Sequence, residues 1–306
     1  MAALTNPQIL ELPDQRKLSY AIFGDRENAA TTTSNVIFYF CGWPSGRDEA
    51  CAWDDAARRH HIRLVAVDRP GHGASGPQPR RTLLDWPRDV LALADRLGAA
   101  RFAVLGVSGG FPYALACLRA LPRSRCVGAG GVAGLPPMAL GPRGMMMMTR
   151  VLFGAAQWST RLVALVLDAA IGRGARGRDI ETQEKNLTES FKGRPRLDQE
   201  AWAACPEFRR GMAYGLRNAF QEDGKGAAWE AYLFGSKWPF ELEDIILEPG
   251  ELVMWHGYHD ENVPLHMVEK AVKLMPNAEL RLSEDAHLSI MVNKRDEVME
   301  TLGKML

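Results

Sequence analysis

Long apolar runs are missing from this 306-residue sequence. The longest strongly apolar stretches, such as 162–171, fall well short of the ~20 residues that a membrane-spanning helix needs. The first residues also lack the basic start and apolar run of a secretory signal. We therefore expect a cytoplasmic protein without a membrane partner.

An excess of charge of either sign is missing too. Lysine and arginine total 37, and aspartate and glutamate total 37. A balanced chain gives no electrostatic reason to bind a polyanion, so we expect no nucleic-acid partner. The sequence does not determine the oligomeric state, and a homodimer is one possibility.

Cysteine is scarce and has no metal-binding spacing. The five cysteines include no C-x-x-C pair, which argues against a disulfide framework and a zinc site. Reduced, buried thiols are the expected state. Because the sequence also has no nucleotide-binding loop and no metal-ligand cluster, we expect neither a cofactor nor a metal.

Short apolar runs alternate with segments of helical period through most of the chain. This alternation predicts an α/β fold with a mostly parallel sheet and helices on both faces, opened by a hairpin. The predicted strands are 9–12, 18–23, 36–41, 62–67, 102–107, 126–132, 252–256 and 279–282.

The alternation stops after the sixth predicted strand. From 136 to 241 only helical patterns follow one another, including 145–157, 160–171, 180–191 and 199–220. We interpret 136–241 as a helical cap inserted into a core made of 1–135 and 242–306. Such a cap is expected over the carboxyl edge of the sheet, where these folds bind ligands.

A G-x-S-x-G string, Gly106-Val107-Ser108-Gly109-Gly110, lies between a predicted strand and a predicted helix. The string alone is weak evidence, since a glycine-rich turn can hold an incidental serine. Its strand–turn–helix setting is the one that a nucleophilic serine on a sharp turn requires. We predict that Ser108 is a nucleophile.

A serine hydroxyl needs a base to take its proton, and the base needs an orienting acid. Asp260 and His287 each follow one of the last two predicted strands. Taken singly, they could be a helix-start residue and a surface histidine. The chain order Ser, Asp, His at successive strand ends favours a catalytic triad. Glu284 and Asp285 are expected to be solvated rather than rival acids.

The chain resembles the α/β-hydrolase superfamily along nearly its whole length. Segment 40–47 (Phe-Cys-Gly-Trp-Pro-Ser-Gly-Arg) is similar to the oxyanion loop of that family, except that Cys41 replaces its usual histidine. Segments 68–75 and 105–116 are similar to the next loop and the nucleophile segment. The resemblance implies the α/β-hydrolase fold and an oxyanion hole formed by the backbone N–H groups of Trp43 and Gly109.

The resemblance also separates reaction classes. Relatives that open epoxides or displace halides carry aspartate at the position of Ser108, so serine favours an acyl-enzyme. Hydrolysis of an ester, thioester, lactone or C–C bond would fit. A lyase, acyltransferase or cyclase on the same scaffold, or a hydrolase-like receptor for a small molecule, remains the alternative.

The cap is expected to determine the substrate specificity. Large apolar side chains suggest a pocket for a small-to-medium apolar carbonyl compound, although any one of them could equally pack in a core. The candidate substrate-binding residues are Trp43, Met146, Phe153, Trp158 and Trp238.

Overall fold

A single sheet organises the computed structural model, which describes residues 6–26 and 35–306. Its strand order is β1-β2-β4-β3-β5-β6-β7-β8. The strands are β1 (Gln8–Glu11), β2 (Lys17–Gly24), β3 (Asn35–Phe40), β4 (Ile62–Val67), β5 (Phe102–Val107), β6 (Cys126–Val132), β7 (Leu252–Gly257) and β8 (Glu279–Ser283). Strand β2 runs antiparallel to both of its neighbours, and the other pairs are parallel. The predicted eight-stranded, mostly parallel α/β fold is confirmed.

The apolar runs form strands because both faces of the sheet are covered. Every residue of β4, β5 and β7 is buried. Two hydrophobic clusters fill the layers on either side of the sheet. Continuous apolar strands of this kind are typical of a parallel sheet with helices on both faces.

Helices connect the strands in the order that the periodicity predicts. They are α1 (Asp54–Arg59), α2 (Trp86–Arg96), α3 (Phe111–Ala120), α4 (Met147–Trp158), α5 (Thr160–Leu167), α6 (Arg173–Gly177), α7 (Ile180–Ser190), α8 (Arg196–Ala204), α9 (Pro206–Ala219), α10 (Lys225–Gly235), α11 (Leu265–Leu274), α12 (His287–Asn293) and α13 (Arg295–Gly303). Helices α4 to α10 lie between β6 and β7, a stretch that is described throughout and holds no strand. The domain boundaries at 136 and 241 stay a prediction.

One helical prediction needs correction. The single helix predicted over 199–220 is two helices, α8 and α9, because Pro206 has no N–H and disfavours a helical Cys205. Helix α10 lies within the stretch predicted to be helical throughout, although its glycines weaken the local helical signal. It proves to be the buried helix on which α4 and α5 pack.

The five cysteines are all buried and unpaired, as expected. Among the described residues, no helix combines the length and apolar character needed to cross a membrane.

Candidate active site

Ser108 sits on a sharp turn between β5 and α3. Its φ angle is 49°, in the left-handed region that side chains other than glycine rarely adopt. Such strain persists only where the surroundings enforce it, and it is common at reactive residues. The turn lifts the serine out of the strand just before the helix begins.

Two neighbouring glycines make this turn possible. A Cβ atom added to Gly110 would lie 2.0 Å from the carbonyl oxygen of Phe40, on the adjacent strand. A Cβ atom on Gly106 would lie 2.6 Å from the Cα atom of Phe111 in α3. Both distances are far below any real contact, so the G-x-S-x-G spacing follows from the close approach of three backbone segments.

Ser108, His287 and Asp260 form one hydrogen-bonded line. His287 Nε2 lies 3.1 Å from Ser108 Oγ, and His287 Nδ1 lies 2.8 Å from Asp260 Oδ2. In the tautomer whose Nδ1–H donates to Asp260, Nε2 is free to accept from the serine hydroxyl. The loops after β5, β7 and β8 bring the three side chains together at the carboxyl edge of the sheet. The distances are those of a nucleophile, a base and an orienting acid.

The second oxygen of Asp260 is held by the backbone. Its Oδ1 accepts hydrogen bonds of 2.8 Å from the N–H groups of Asn262 and Val263. Burial raises the pKa of Asp260, but the adjacent His287 and these hydrogen bonds outweigh that effect, and the net pKa lies below its usual value. The carboxylate is therefore ionised at neutral pH.

The two neighbouring acids do not compete for His287. Glu284 is exposed and pairs with His259. Asp285 is buried, which corrects the expectation that it is solvated. Its two oxygens accept hydrogen bonds from Ser283 and Asn293 instead.

The backbone of the loop after β3 faces the sharp turn at Ser108. The N–H of Gly42 donates to Glu49 Oε1 at 2.9 Å, so it is already used inside the protein. The next N–H belongs to Trp43, and its nitrogen lies 3.3 Å from where a Cβ atom of Gly109 would be. The structure thus brings together the two residues predicted to form an oxyanion hole. Gly109 lies in the first helical turn after Ser108, where backbone N–H groups lack helical partners.

A buried ionic cluster supports this loop, and the sequence analysis missed it. Arg69 donates to the carbonyl oxygens of Cys41 at 2.6 Å and Gly42 at 2.9 Å. Its other N–H groups donate to both carboxylate oxygens of Glu230, on α10. Arg69 and Glu230 are both fully buried. Arg69 thus holds the backbone of Cys41 and Gly42 through their carbonyl groups. These contacts do not depend on a histidine side chain at position 41.

Three further groups surround Glu230. The hydroxyl of Tyr113 donates to its Oε1 at 2.9 Å, and Arg81 and His72 lie 3.4 and 3.6 Å away. Burial alone would raise the pKa of Glu230, but the charge of Arg69, above all, and the neighbouring His72 and Arg81 more than offset it and lower the pKa to about 2. A lone carboxylate in the apolar helix 225–235 was the sequence signal that could have drawn attention to it.

A second missed residue, Asp198 of α8, supports the helix that begins at His287. Its Oδ1 accepts hydrogen bonds from the N–H groups of Leu288 and Ser289, at 2.8 and 2.9 Å. These groups belong to the first turn of α12, the helix that begins at His287. The carboxylate of Asp198 thus caps α12, the helix that carries the imidazole of His287. The sequence gives no local signal for a cap that comes from 90 residues away.

Ser108 and His287 line a cavity of about 420 Å³ beneath the helices that lie between β6 and β7. Trp43 lines it, together with residues of the stretch from α6 to α9. The apolar members of this lining include Ile171, Leu187, Phe191, Met212 and Leu216. Gln183, Asn186 and Arg194 add polar groups.

The remaining candidate substrate-binding residues lie elsewhere. Phe153 is buried against the Trp43 ring, with ring centres 5.1 Å apart, so it supports the wall from behind. Trp238 packs on Phe240, and Met146 lies near Arg194. Trp158 is 93% exposed at the end of α4. None of these four lines the cavity, because apolar character alone does not decide which face of a helix turns toward the site.

The chain is similar to known proteins in sequence pattern and in fold. A sequence model of the alpha/beta hydrolase family matches residues 41–301. Similar solved structures include a bromoperoxidase from Bacillus anthracis, at 18% identity and a TM-score of 0.67, covering 98% of this chain and 100% of that one. An esterase from Rhodococcus sp. ECU1013 has 18% identity, a TM-score of 0.61 and coverage of 99% and 100%. The enol-lactonase from Burkholderia xenovorans LB400 has 16% identity, a TM-score of 0.62 and coverage of 97% and 99%. At these identities the likeness concerns the fold. No curated protein matches the sequence.

Proposed function

Since the chain belongs to the alpha/beta hydrolase family, we propose that it is a serine hydrolase that cleaves a small-to-medium acyl compound through an acyl-enzyme on Ser108. One observation carries the proposal: the unbroken line from Ser108 through His287 to the ionised Asp260, with spacings of 3.1 and 2.8 Å. An esterase and an enol-lactonase among the similar structures make an oxygen ester or a lactone the first substrate classes to test.

The first half of the cycle forms the acyl-enzyme. Ser108 Oγ attacks the carbonyl carbon while its proton passes to His287 Nε2, and the carbonyl electron pair moves to the oxygen. The N–H groups of Trp43 and Gly109 stabilise that oxyanion, and losing one such donor typically costs about 3 kcal/mol of activation free energy. The oxyanion then re-forms the carbonyl and the bond from the acyl carbon to the alkoxide oxygen breaks, while the imidazolium, stabilised by Asp260, gives its proton to that oxygen and frees the alcohol.

The second half returns the enzyme to its starting state. A water molecule loses a proton to His287 and attacks the acyl carbon. Collapse of the second tetrahedral intermediate breaks the bond to Ser108 Oγ, which takes back the proton, and a carboxylic acid leaves. The cavity of about 420 Å³ is in the range of small-ligand sites, and its apolar wall suits an acyl group of short or medium length.

The experiment combines active-site labelling with turnover. We expect a fluorophosphonate probe to label the wild type and p-nitrophenyl esters to be hydrolysed, with a preference for short and medium acyl chains. Ser108→Ala should abolish both while the circular dichroism spectrum is unchanged. Ser236→Ala is the matched control, because that hydroxyl is hydrogen-bonded to Tyr232 outside the cavity.

The same experiment separates the alternatives. Labelling without ester turnover would favour a lyase, an acyltransferase, a cyclase or a receptor. Labelling that persists in Ser108→Ala would identify a different nucleophile and overturn the proposal.

A further inference from the structure

Helices α4 and α5 share an outer face that is unusually apolar for an exposed surface. Ten large hydrophobic side chains are exposed among the described residues, and seven of them lie on these two helices. The seven are Met147, Met148, Val151, Trp158, Leu162, Leu165 and Val166. Isolated exposed apolar residues are ordinary, but a contiguous group marks an interaction site. We call this group the α4–α5 surface.

The fold does not need these side chains. The opposite faces of the two helices, with Phe153 and Val163 among their buried residues, supply the packing against α10. Both faces of each helix therefore carry apolar side chains, and only one of these faces packs on the core. Nothing in the packing of the described chain covers the outer face.

The charges on and just before these two helices favour an anionic partner. Residues 143–167 contain three arginines and no aspartate or glutamate, although the whole chain has no net charge. Arg143, Arg150 and Arg161 are all exposed. Within 6–26 and 35–306, no ion pair involves any of the three. Arg150 is one turn from Met147 and Arg161 one turn from Leu165, so the cations border the apolar side chains.

A second copy of the chain would not complement this arrangement. A two-fold interface places the same patch on both sides, and it would bring like charges together. An anionic lipid surface offers headgroups to the arginines and acyl chains to the apolar side chains. Helices that lie in the plane of a membrane combine these features, with basic residues beside tryptophan and leucine.

We propose that the α4–α5 surface docks on an anionic lipid membrane, with both helices lying in the interface. The sequence suggested no membrane partner because no apolar run is long enough to cross a bilayer. A face assembled from two consecutive short helices needs no such run. This inference stands independently of the proposed hydrolase activity.

Co-sedimentation with vesicles tests the docking. We expect the full chain to sediment with vesicles of phosphatidylcholine and phosphatidylglycerol, more weakly at high salt, and little with phosphatidylcholine alone. Leu162→Glu/Val166→Glu should weaken binding about tenfold or more, because two apolar side chains no longer enter the interface. Ile246→Glu is the matched control, as Ile246 is 73% exposed and outside this surface.

A second variant tests the charge. Arg150→Gln/Arg161→Gln should lose most of the preference for phosphatidylglycerol. Failure to sediment with either kind of vesicle would overturn the proposal, and so would equal binding by the wild type and the Leu162/Val166 variant. If the chain instead dimerises without lipid and Leu162→Glu/Val166→Glu abolishes the dimer, the surface is an interface between copies and the lipid proposal is wrong.

Discussion

The buried pair of Arg69 and Glu230 makes a sharp prediction about stability. Glu230→Gln keeps the shape of the side chain but leaves Arg69 as a buried cation without its counter-ion. Removing one partner of a buried pair typically costs about 3–5 kcal/mol. The pKa of Glu230 gives an independent figure, because a fall from 4.5 to about 2 corresponds to about 3 kcal/mol of stabilisation of the ionised form. We expect the free energy of unfolding at neutral pH to fall by about that amount.

The pH dependence gives the sign of the effect. The folded-state pKa of Glu230 is depressed, so its contribution to stability is fully present above the unfolded-state value of 4.5. That contribution is lost as pH falls from 4.5 toward about 2, where the folded carboxylate takes up its proton. The difference in unfolding free energy between wild type and Glu230→Gln should therefore shrink across this range.

Urea unfolding followed by tryptophan fluorescence measures these differences. Glu248→Gln is the control, because Glu248 forms an exposed ion pair with Arg123 and its loss should change little. Because Arg69 holds the carbonyl groups of Cys41 and Gly42, just before Trp43, Glu230→Gln should also lower kcat more than it raises KM. An unfolding free energy at neutral pH within about 1 kcal/mol of the wild type would refute the reasoning.

Two further predictions concern the residues that support the proposed triad. Asp198→Ala removes the acceptor for the first turn of α12, so we expect the unfolding free energy to fall by about 1–2 kcal/mol and kcat to decrease. Asp198→Asn keeps an acceptor oxygen and should largely restore both quantities. Equal loss in the two variants would contradict a capping role. Gly110→Ala places a Cβ atom 2.0 Å from the Phe40 carbonyl oxygen, so we expect size-exclusion chromatography to show little folded protein. The control Gly98→Ala has open space around its Cβ position and a φ of 69°, and it should still fold. Normal yield and turnover from Gly110→Ala would show that the turn at Ser108 tolerates a side chain.

The sequence by itself determined the sheet and the hydrogen-bonded line of Ser108, His287 and Asp260. The central strands β4, β5 and β7 are short runs buried along their whole length, as expected of a parallel sheet between layers of helices. Ser108, Asp260 and His287 each lie in the connection that follows a strand, and parallel strands end at one edge of a sheet. Their meeting is therefore a consequence of chain order, and local patterns suffice to predict it.

Only the tertiary structure decided what surrounds that line. Glu230 reaches Arg69 across 161 positions of sequence, and Asp198 reaches Leu288 across 90. No local pattern encodes such contacts, because they depend on how the helices from α4 to α10 are placed over the sheet. The same placement turned Phe153 inward and Trp158 outward, although both are large apolar residues of one helix. Composition tells which side chains prefer burial, but the orientation of each helix decides whether they meet the core, the substrate or the solvent.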